Sequence, residues 1–212
     1  DFGQLLDAVE FVGTNTLKFV EEKCENELKD YQVPKLKIPT NIPRLTMREA
    51  QKIILKRTGT DHTNEKDLGP EDEKEICKWA FEEKESDLVT ITHYPTGKRA
   101  FYTMPDPENP EYSLSYDLLF RGLEILSGSQ RISDYDKLIE AIKNRGMDPK
   151  NFEMYLQAFK YGMPPEGGFS FGLERITMKL LNLSNVREAS LFPRDMERVD
   201  FRFSQNKKES SK

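Results

Sequence analysis

The residues best suited to chemistry lie between positions 116 and 132, where polar side chains are interspersed with apolar ones. Asp117, Glu124 and Ser127 supply the hard oxygen ligands that Mg²⁺ takes beside a substrate phosphate. Arg131 offers a planar guanidinium that can hold a small carboxylate through two parallel hydrogen bonds. On these residues alone, a second interpretation stays open, in which the carboxylates face solvent and the arginine bridges two strands.

A second stretch, residues 164–181, is rich in glycine and predicts a strand that continues into a helix. The paired glycines at 167–168 have no Cβ, so a bulky flat ligand can approach the backbone there. Gly172 begins a helix with apolar residues at helical spacing, and Glu174 and Arg175 lie in its first turn. An arginine at this place can stack on a base or bind a phosphate. Taken alone, the stretch also fits an ordinary turn with a surface ion pair.

The strands that must hold these residues are indicated by period-two patterns. From Leu123 to Ser127 this period predicts that Glu124 and Leu126 share one strand face. Further strands are predicted at Leu88–Thr92, at Phe101–Met104 and, as the strand pair that bears the carboxylates, from Ser113 onward. Strands and helices mix without a regular βαβ rhythm, which predicts the α+β class.

Helical spacing of apolar residues predicts the elements that flank those strands. The helices are expected at Phe2–Lys23, from Thr46 to about Gly59, at Glu73–Glu83, at Asp134–Lys143 and at Asp148–Lys160. Asp1 is the expected N-cap of the first helix, and Thr46 with Glu49 forms a capping box for the second.

Two segments are expected to lie outside this framework. Residues 60–86 are interpreted as a charged insertion with some helix, in which residues 60–75 form a solvated loop that exposes His62. Residues 201–212 form a charged tail that ends with Lys207-Lys208-Glu209-Ser210-Ser211-Lys212 and is predicted to be disordered.

Composition excludes several classes of protein. The 212 residues suffice for one domain with a sizeable core. With a net charge of −5, the chain is not basic overall as many nucleic-acid-binding proteins are. Contacts with a nucleic acid would therefore need a local basic patch or a further domain. Cys24 and Cys77 lack metal-ligand spacing and are too few for a disulfide framework, which favours the reducing cytoplasm. A signal peptide and a spanning apolar run are both missing, so no membrane association is expected.

Several blocks together resemble a known family. Gly172–Arg175 is similar to motif 3 of the class II aminoacyl-tRNA synthetases. The blocks similar to aspartyl-tRNA synthetases of the archaeal and eukaryotic cytosolic type are Asp117–Arg131, Phe101–Pro105, Tyr161–Pro165 and Leu191–Asp195. The resemblance implies an antiparallel sheet flanked by helices. It also implies that residues 1–200 are the C-terminal part of the catalytic domain, from after motif 2 through motif 3.

The resemblance further implies ATP-dependent activation of aspartate and transfer of the aspartyl group to its tRNA. The implied site residues are Glu124 and Arg175 for catalysis, Glu124 with Gly172, Leu173, Glu174 and Arg175 for ATP, Ser127 and Arg131 for aspartate, and Asp117, Glu124 and Ser127 for Mg²⁺. The implied partners are aspartate, ATP, an aspartate-specific tRNA and a second copy in a full-length homodimer.

The chain also departs from the family. Glu166 stands where the family commonly has histidine, which adds a negative charge at the edge of the expected pocket. Motifs 1 and 2 are absent from the sequence, so the chain alone is not expected to make adenylate at a useful rate. Two alternatives stay open: an asparaginyl-tRNA synthetase or asparagine synthetase-like relative, and a non-catalytic paralogue that acts as an interaction module.

Overall fold

The computed structural model describes residues 1–194, and the predicted tail at 201–212 lies outside the described residues. Five strands form one sheet in sequential order: β1 (Arg44–Thr46), β2 (Leu88–Thr92), β3 (Ser115–Phe120), β4 (Leu123–Gln130) and β5 (Gly167–Phe171). The short edge strand β1 pairs with β2 in parallel, and the other pairs are antiparallel. The predicted α+β class is confirmed, with one parallel edge.

Within residues 1–194, seven α-helices surround this sheet: α1 (Phe2–Lys23), α2 (Glu25–Asp30), α3 (Met47–Thr58), α4 (Pro70–Lys84), α5 (Tyr135–Asn144), α6 (Glu153–Lys160) and α7 (Leu173–Leu180). Three short 3₁₀ helices occupy Thr96–Lys98, Pro149–Phe152 and Val186–Ala189. The predicted caps are present: the Asp1 side chain accepts from the backbone of Gln4, and Thr46 forms its capping box with Glu49. No helix among residues 1–194 is long and apolar enough to cross a membrane.

The two faces of the sheet bury different helices because successive strand residues point to opposite sides. On one face, α1 packs through Leu6 and Val9 against a cluster that contains Leu118. On the other face, α3 and α4 pack against a cluster that contains Leu119. A third cluster joins α5 and α6 beside the sheet. The sheet is therefore flanked by helices on both sides, as expected.

Three of the predicted secondary-structure elements differ from the structure. Phe101–Met104 forms a turn instead of a strand, because its aromatic rings pack into the third cluster and only Thr103 makes an isolated bridge, to Arg131. The helix expected at 73–83 begins earlier, at Pro70, where the Asp72 carboxylate accepts from the backbone of Gly69 at 3.0 Å. The helix expected at 148–160 begins as a 3₁₀ turn.

The charged region 60–86 is more ordered than its composition indicates. His62 is half-buried, with its Nδ1 2.7 Å from Asp72 Oδ1, so it fastens the loop to the start of α4. The ion pair with Asp72 raises the pKa of His62. The expectation of an exposed histidine is therefore corrected.

The closest packing in the sheet predicts a sensitive position at Gly128. A Cβ added there would lie 2.5 Å from the buried Tyr116 ring and 2.7 Å from the carbonyl oxygen of Gly168. We expect Gly128→Ala to lower the free energy of unfolding by about 1–3 kcal/mol, because neither neighbour can move aside. Urea denaturation measures this change. Gly97→Ala, where nothing lies within 4 Å, is the control, and equal effects of the two variants would contradict the packing argument.

Candidate active site

The candidate site is built on an irregularity in β4. Leu118 of β3 pairs with Leu126, but the next residue, Leu119, pairs with Glu124, so Ile125 is one extra residue in β4. This is a β-bulge. Leu118 and Leu119 face opposite sides of the sheet, and their partners Leu126 and Glu124 therefore do so as well. The prediction that Glu124 and Leu126 share a face is wrong.

The bulge places the sequence-predicted carboxylates together. Asp117 and Ser127 are direct partners across β3 and β4. Glu124 and Ser127 are three residues apart, so a regular strand would point them to opposite faces. The extra residue brings Glu124 to the face of Asp117 and Ser127. In exchange, Ile125 and Leu126 both bury in the apolar cluster on the other face.

Polar groups from two helices hold the bulge. The backbone N–H of Glu124 donates to Glu73 Oε2 on α4 at 3.0 Å. The backbone carbonyl of Glu124 accepts from Arg175 Nη1 on α7 at 2.8 Å, and the carbonyl of Ile125 accepts from the Gly172 N–H at 2.8 Å. The start of α7 is thus fixed to the bulge.

The carboxylates of Glu124, Asp117 and Glu73 lie close enough at the bulge to influence one another. Burial raises the pKa of Glu124, and the neighbouring Asp117 carboxylate raises it further, whereas Arg175 lowers it. The Arg175 guanidinium lies 3.5 Å from Glu124 Oε1. Burial likewise raises the pKa of Glu73, with a smaller contribution from Asp117. The structure therefore brings Glu124 and Arg175, the two residues predicted to be catalytic, into one ion pair.

Arg99 is a component that the sequence argument missed. Its Nη2 donates to Oδ2 of Asp117 at 2.6 Å, and Asp117 is only 4% exposed. Its Nη1 donates to Ser127 Oγ at 3.3 Å, and its guanidinium carbon lies 3.8 Å from the centre of the Tyr94 ring. The buried Oδ1 of Asp117 makes no hydrogen bond within the described chain. The sequence signal was present only as a basic Lys98-Arg99 turn.

A cavity of about 420 Å³ opens beside this pair. Its lining includes two guanidinium side chains, Arg99 and Arg131, with the hydroxyls of Ser127 and Ser129. Gly168 lies in the same lining, and a Cβ added there would lie 3.0 Å from Arg131 Nη2. The glycine therefore lets the Arg131 guanidinium lie against the bare backbone. Two arginines and hydroxyl donors make the cavity suited to an anionic ligand.

The residues predicted to bind ATP lie outside that lining. Glu124 lies at the bulge of β4, and Gly172 to Arg175 lie at the junction of β5 and α7. Gly172 is the N-cap of α7, and Arg175 and Glu174 occupy its first turn as predicted. Leu173 is 71% exposed and does not join the core. Within residues 1–194, no cluster of three or more His, Cys, Asp or Glu side chains could hold a metal ion.

Comparison with known proteins identifies the family. The family model described as tRNA synthetases class II (D, K and N) matches residues 1–196. The chain belongs to this family. The strand–helix junction at Gly172–Arg175, the stretch that resembles motif 3, lies within the matched residues.

Individual relatives agree with this assignment. An aspartate–tRNA(Asp/Asn) ligase from Thermus thermophilus is 49% identical over 76% of this chain and 37% of its own length. An aspartate–tRNA(Asp) ligase from Pyrococcus horikoshii is 41% identical over 93% of this chain and 45% of its own. The chain thus spans less than half the length of the curated relatives it matches.

Solved structures of class II synthetases share the fold. An aspartyl-tRNA synthetase from Entamoeba histolytica superposes with a TM-score of 0.87 and 33% identity, over 94% of this chain and 42% of that one. An asparaginyl-tRNA synthetase from Pyrococcus horikoshii, complexed with asparaginyl-adenylate, superposes with a TM-score of 0.83 and 32% identity, over 94% of this chain and 46% of that one. The two specificities are therefore almost equally similar in structure.

The role of Glu73 in holding the bulge predicts distinct effects of two substitutions. Glu73→Ala leaves the Glu124 N–H without its acceptor and is expected to cost about 1–3 kcal/mol of unfolding free energy. Glu73→Gln keeps an acceptor oxygen for the Glu124 N–H and removes a half-buried charge. We therefore expect no loss of unfolding free energy at pH 7. Denaturant unfolding with both variants measures these effects, with Glu71→Gln on the exposed side of α4 as control.

The raised pKa of Glu73 predicts that the free energy of unfolding depends on pH. Because folding raises the pKa of Glu73 above its ordinary value, the folded protein binds the proton more tightly than the unfolded chain. This contribution to stability is complete below the ordinary pKa and is lost as the pH rises through the raised pKa. Glu73→Gln should flatten that decline. An unchanged pH profile in this variant would contradict the account.

Proposed function

We propose that the chain forms the amino-acid and motif 3 part of the active site of an aspartate–tRNA ligase. Such an enzyme activates aspartate with ATP to aspartyl-adenylate and transfers the aspartyl group to tRNA(Asp). The observation that carries the proposal is the anion-suited cavity of Arg131 and Ser127, set beside the Glu124–Arg175 pair by one bulge. The names of the curated relatives support aspartate as the substrate.

Arg131 and Ser127 are proposed to hold the aspartate. The buried Nε of Arg131 makes no hydrogen bond within residues 1–194, so the guanidinium can still accept an anionic partner. A carboxylate gains a charge-assisted pair with this group that the neutral amide of asparagine lacks. That difference is worth about 1.5–3 kcal/mol.

The start of α7 is proposed to hold ATP. Arg175 Nη1 donates a hydrogen bond to the Glu124 carbonyl, which fixes the guanidinium in place. Its remaining N–H groups can donate to a phosphate, and its planar guanidinium can stack on adenine. Leu173 presents an exposed apolar side chain next to it, and Gly172 and Glu174 complete the segment. The segment thus combines a fixed cation with apolar surface, as a nucleotide requires.

Mg²⁺ is proposed to bind at Glu124, with Asp117 and Ser127. The donor set fits in chemistry, since Asp117 keeps a buried oxygen without a hydrogen bond and the Glu124 carboxylate experiences repulsion from Asp117. Residues 1–194 contain no all-protein site for a metal ion, and Mg²⁺ commonly retains water and substrate phosphate oxygens as ligands. When bound, the ion would neutralise phosphate charge.

In the proposed reaction, the α-carboxylate of aspartate attacks the α-phosphate of ATP, and pyrophosphate leaves. The protein contributes position and charge rather than a covalent nucleophile. Arg131 orients the amino acid by its side chain, and Arg175 stabilises negative charge on the nucleotide. Homodimer formation by the whole protein, the tRNA partner and a cytoplasmic location stay predictions.

A second candidate function is asparaginyl-tRNA ligation. It is supported by the structural similarity to asparaginyl-tRNA synthetases and by the carboxylate of Glu166, which lies 3.6 Å from Arg131 and offsets its charge. A non-catalytic relative is less favoured, because Glu124, Arg131 and Arg175 are all present and the first and third form an ion pair.

The first experiment is a calorimetric titration of the full-length protein with a non-hydrolysable aspartyl-adenylate analogue and Mg²⁺. We expect Arg131→Ala to weaken binding roughly 10- to 150-fold, since a charge-assisted contact is lost. Lys52→Ala, an exposed cation on α3, should bind like the unaltered protein. Equal affinity of the Arg131→Ala variant and the unaltered protein would contradict aspartate recognition at Arg131. Tighter binding of the asparaginyl analogue would favour the second candidate.

A further inference from the structure

Arg131 has a carboxylate beside it before any substrate binds. Glu166 Oε1 lies 3.6 Å from Arg131 Nη1, and the backbone N–H of Arg131 donates to the Glu166 carbonyl at 3.0 Å. The Glu166 side chain is only 23% exposed. Solvent therefore screens this attraction less than it would screen a pair on the open surface.

The surroundings of Arg131 leave it only partly satisfied. Its guanidinium is confined between the backbone at Gly168 and the Tyr102 ring, whose centre lies 5.3 Å from the guanidinium carbon. Its buried Nε makes no hydrogen bond in the described part of the chain. At 3.6 Å, the contact with Glu166 is an ion pair without a hydrogen bond of ordinary length. A ligand that brings a better acceptor can therefore compete for this group.

Tyr155 provides a second polar group on this side of Arg131, because it packs in the third cluster with Tyr102, whose ring faces the Arg131 guanidinium. The Tyr155 hydroxyl is buried and makes no hydrogen bond among residues 1–194. Burial raises the pKa of Tyr155, and the negative charge of Glu166 raises it further. A buried hydroxyl without a partner is costly, and here it is a donor that a displaced carboxylate can use.

We propose that Glu166 determines amino-acid specificity by competing with the substrate side chain for Arg131. This inference rests on the proposed function. The Glu166 carboxylate neutralises Arg131 within the chain. An aspartate side chain replaces it at Arg131, and Glu166 turns to the Tyr155 hydroxyl. An asparagine amide instead fits between the two charges, since its oxygen accepts from Arg131 and its NH₂ donates to Glu166. Glu166 therefore weakens aspartate binding and reduces the difference in affinity between aspartate and asparagine.

The test uses the full-length protein and calorimetric titration with aspartyl- and asparaginyl-adenylate analogues. Glu166→Gln removes the competing charge at nearly constant size and should bind the aspartyl analogue roughly 3- to 10-fold more tightly. The asparaginyl analogue should bind with unchanged or lower affinity. Glu153→Gln, an exposed carboxylate on α6, is the matched control and should change neither affinity. Equal tightening of both analogues, no change, or weaker aspartyl binding would each overturn the proposal.

Two further variants separate the possible failures. If the unaltered protein binds neither analogue, the proposed function itself is wrong. If Arg131→Ala abolishes aspartyl binding and Glu166→Gln has no effect, only the competition is wrong. Tyr155→Phe should weaken aspartyl binding by roughly threefold in the unaltered protein and have no effect alongside Glu166→Gln. An equal loss in both backgrounds would contradict the displacement of Glu166 toward Tyr155.

Discussion

The site depends on one extra residue in a β-strand. Ile125 shifts the pairing of β4 so that Glu124 turns to the face that already holds Asp117 and Ser127. The shift is stable because Ile125 and Leu126 then bury together on the opposite face. Glu73 and Arg175 bind the polar groups that the irregular pairing would otherwise leave free. The packing of Ile125 and Leu126 on one face of the sheet thus places the Glu124 carboxylate on the other face.

The charged groups of the proposed site are paired within the chain. Three arginines each lie beside a carboxylate: Arg99 with Asp117, Arg175 with Glu124, and Arg131 with Glu166. The pairs differ in strength, since Asp117 is buried at 2.6 Å from its partner whereas the other two are longer and more exposed. Buried charges persist only when paired. The two looser pairs are therefore the ones that anionic substrates can reorganise, and Arg99–Asp117 holds the framework.

The sequence allowed prediction of the features whose causes are local. The caps of α1 and α3 and the strand-to-helix change at Gly172 follow from neighbouring residues, and all are present. The bulge could not be predicted from a period-two pattern, because it depends on Glu73 in α4, 51 residues away. Arg99 was missed for a similar reason, since its partner Asp117 lies 18 residues further along the chain. Site geometry is a tertiary property here, whereas the residues proposed for the site were selected from their types, their spacing and the family resemblance.

The most direct test of the account is a crystal structure of the full-length protein with a non-hydrolysable aspartyl-adenylate analogue and Mg²⁺. The account predicts the aspartate side chain at Arg131 and the phosphate beside Glu124 and Arg175, on the sheet face that bears Asp117. Ile125 should remain the extra residue of β4. A regular β4 with Glu124 on the opposite face, or a ligand bound away from Arg131, would contradict the central claim that the bulge assembles the site.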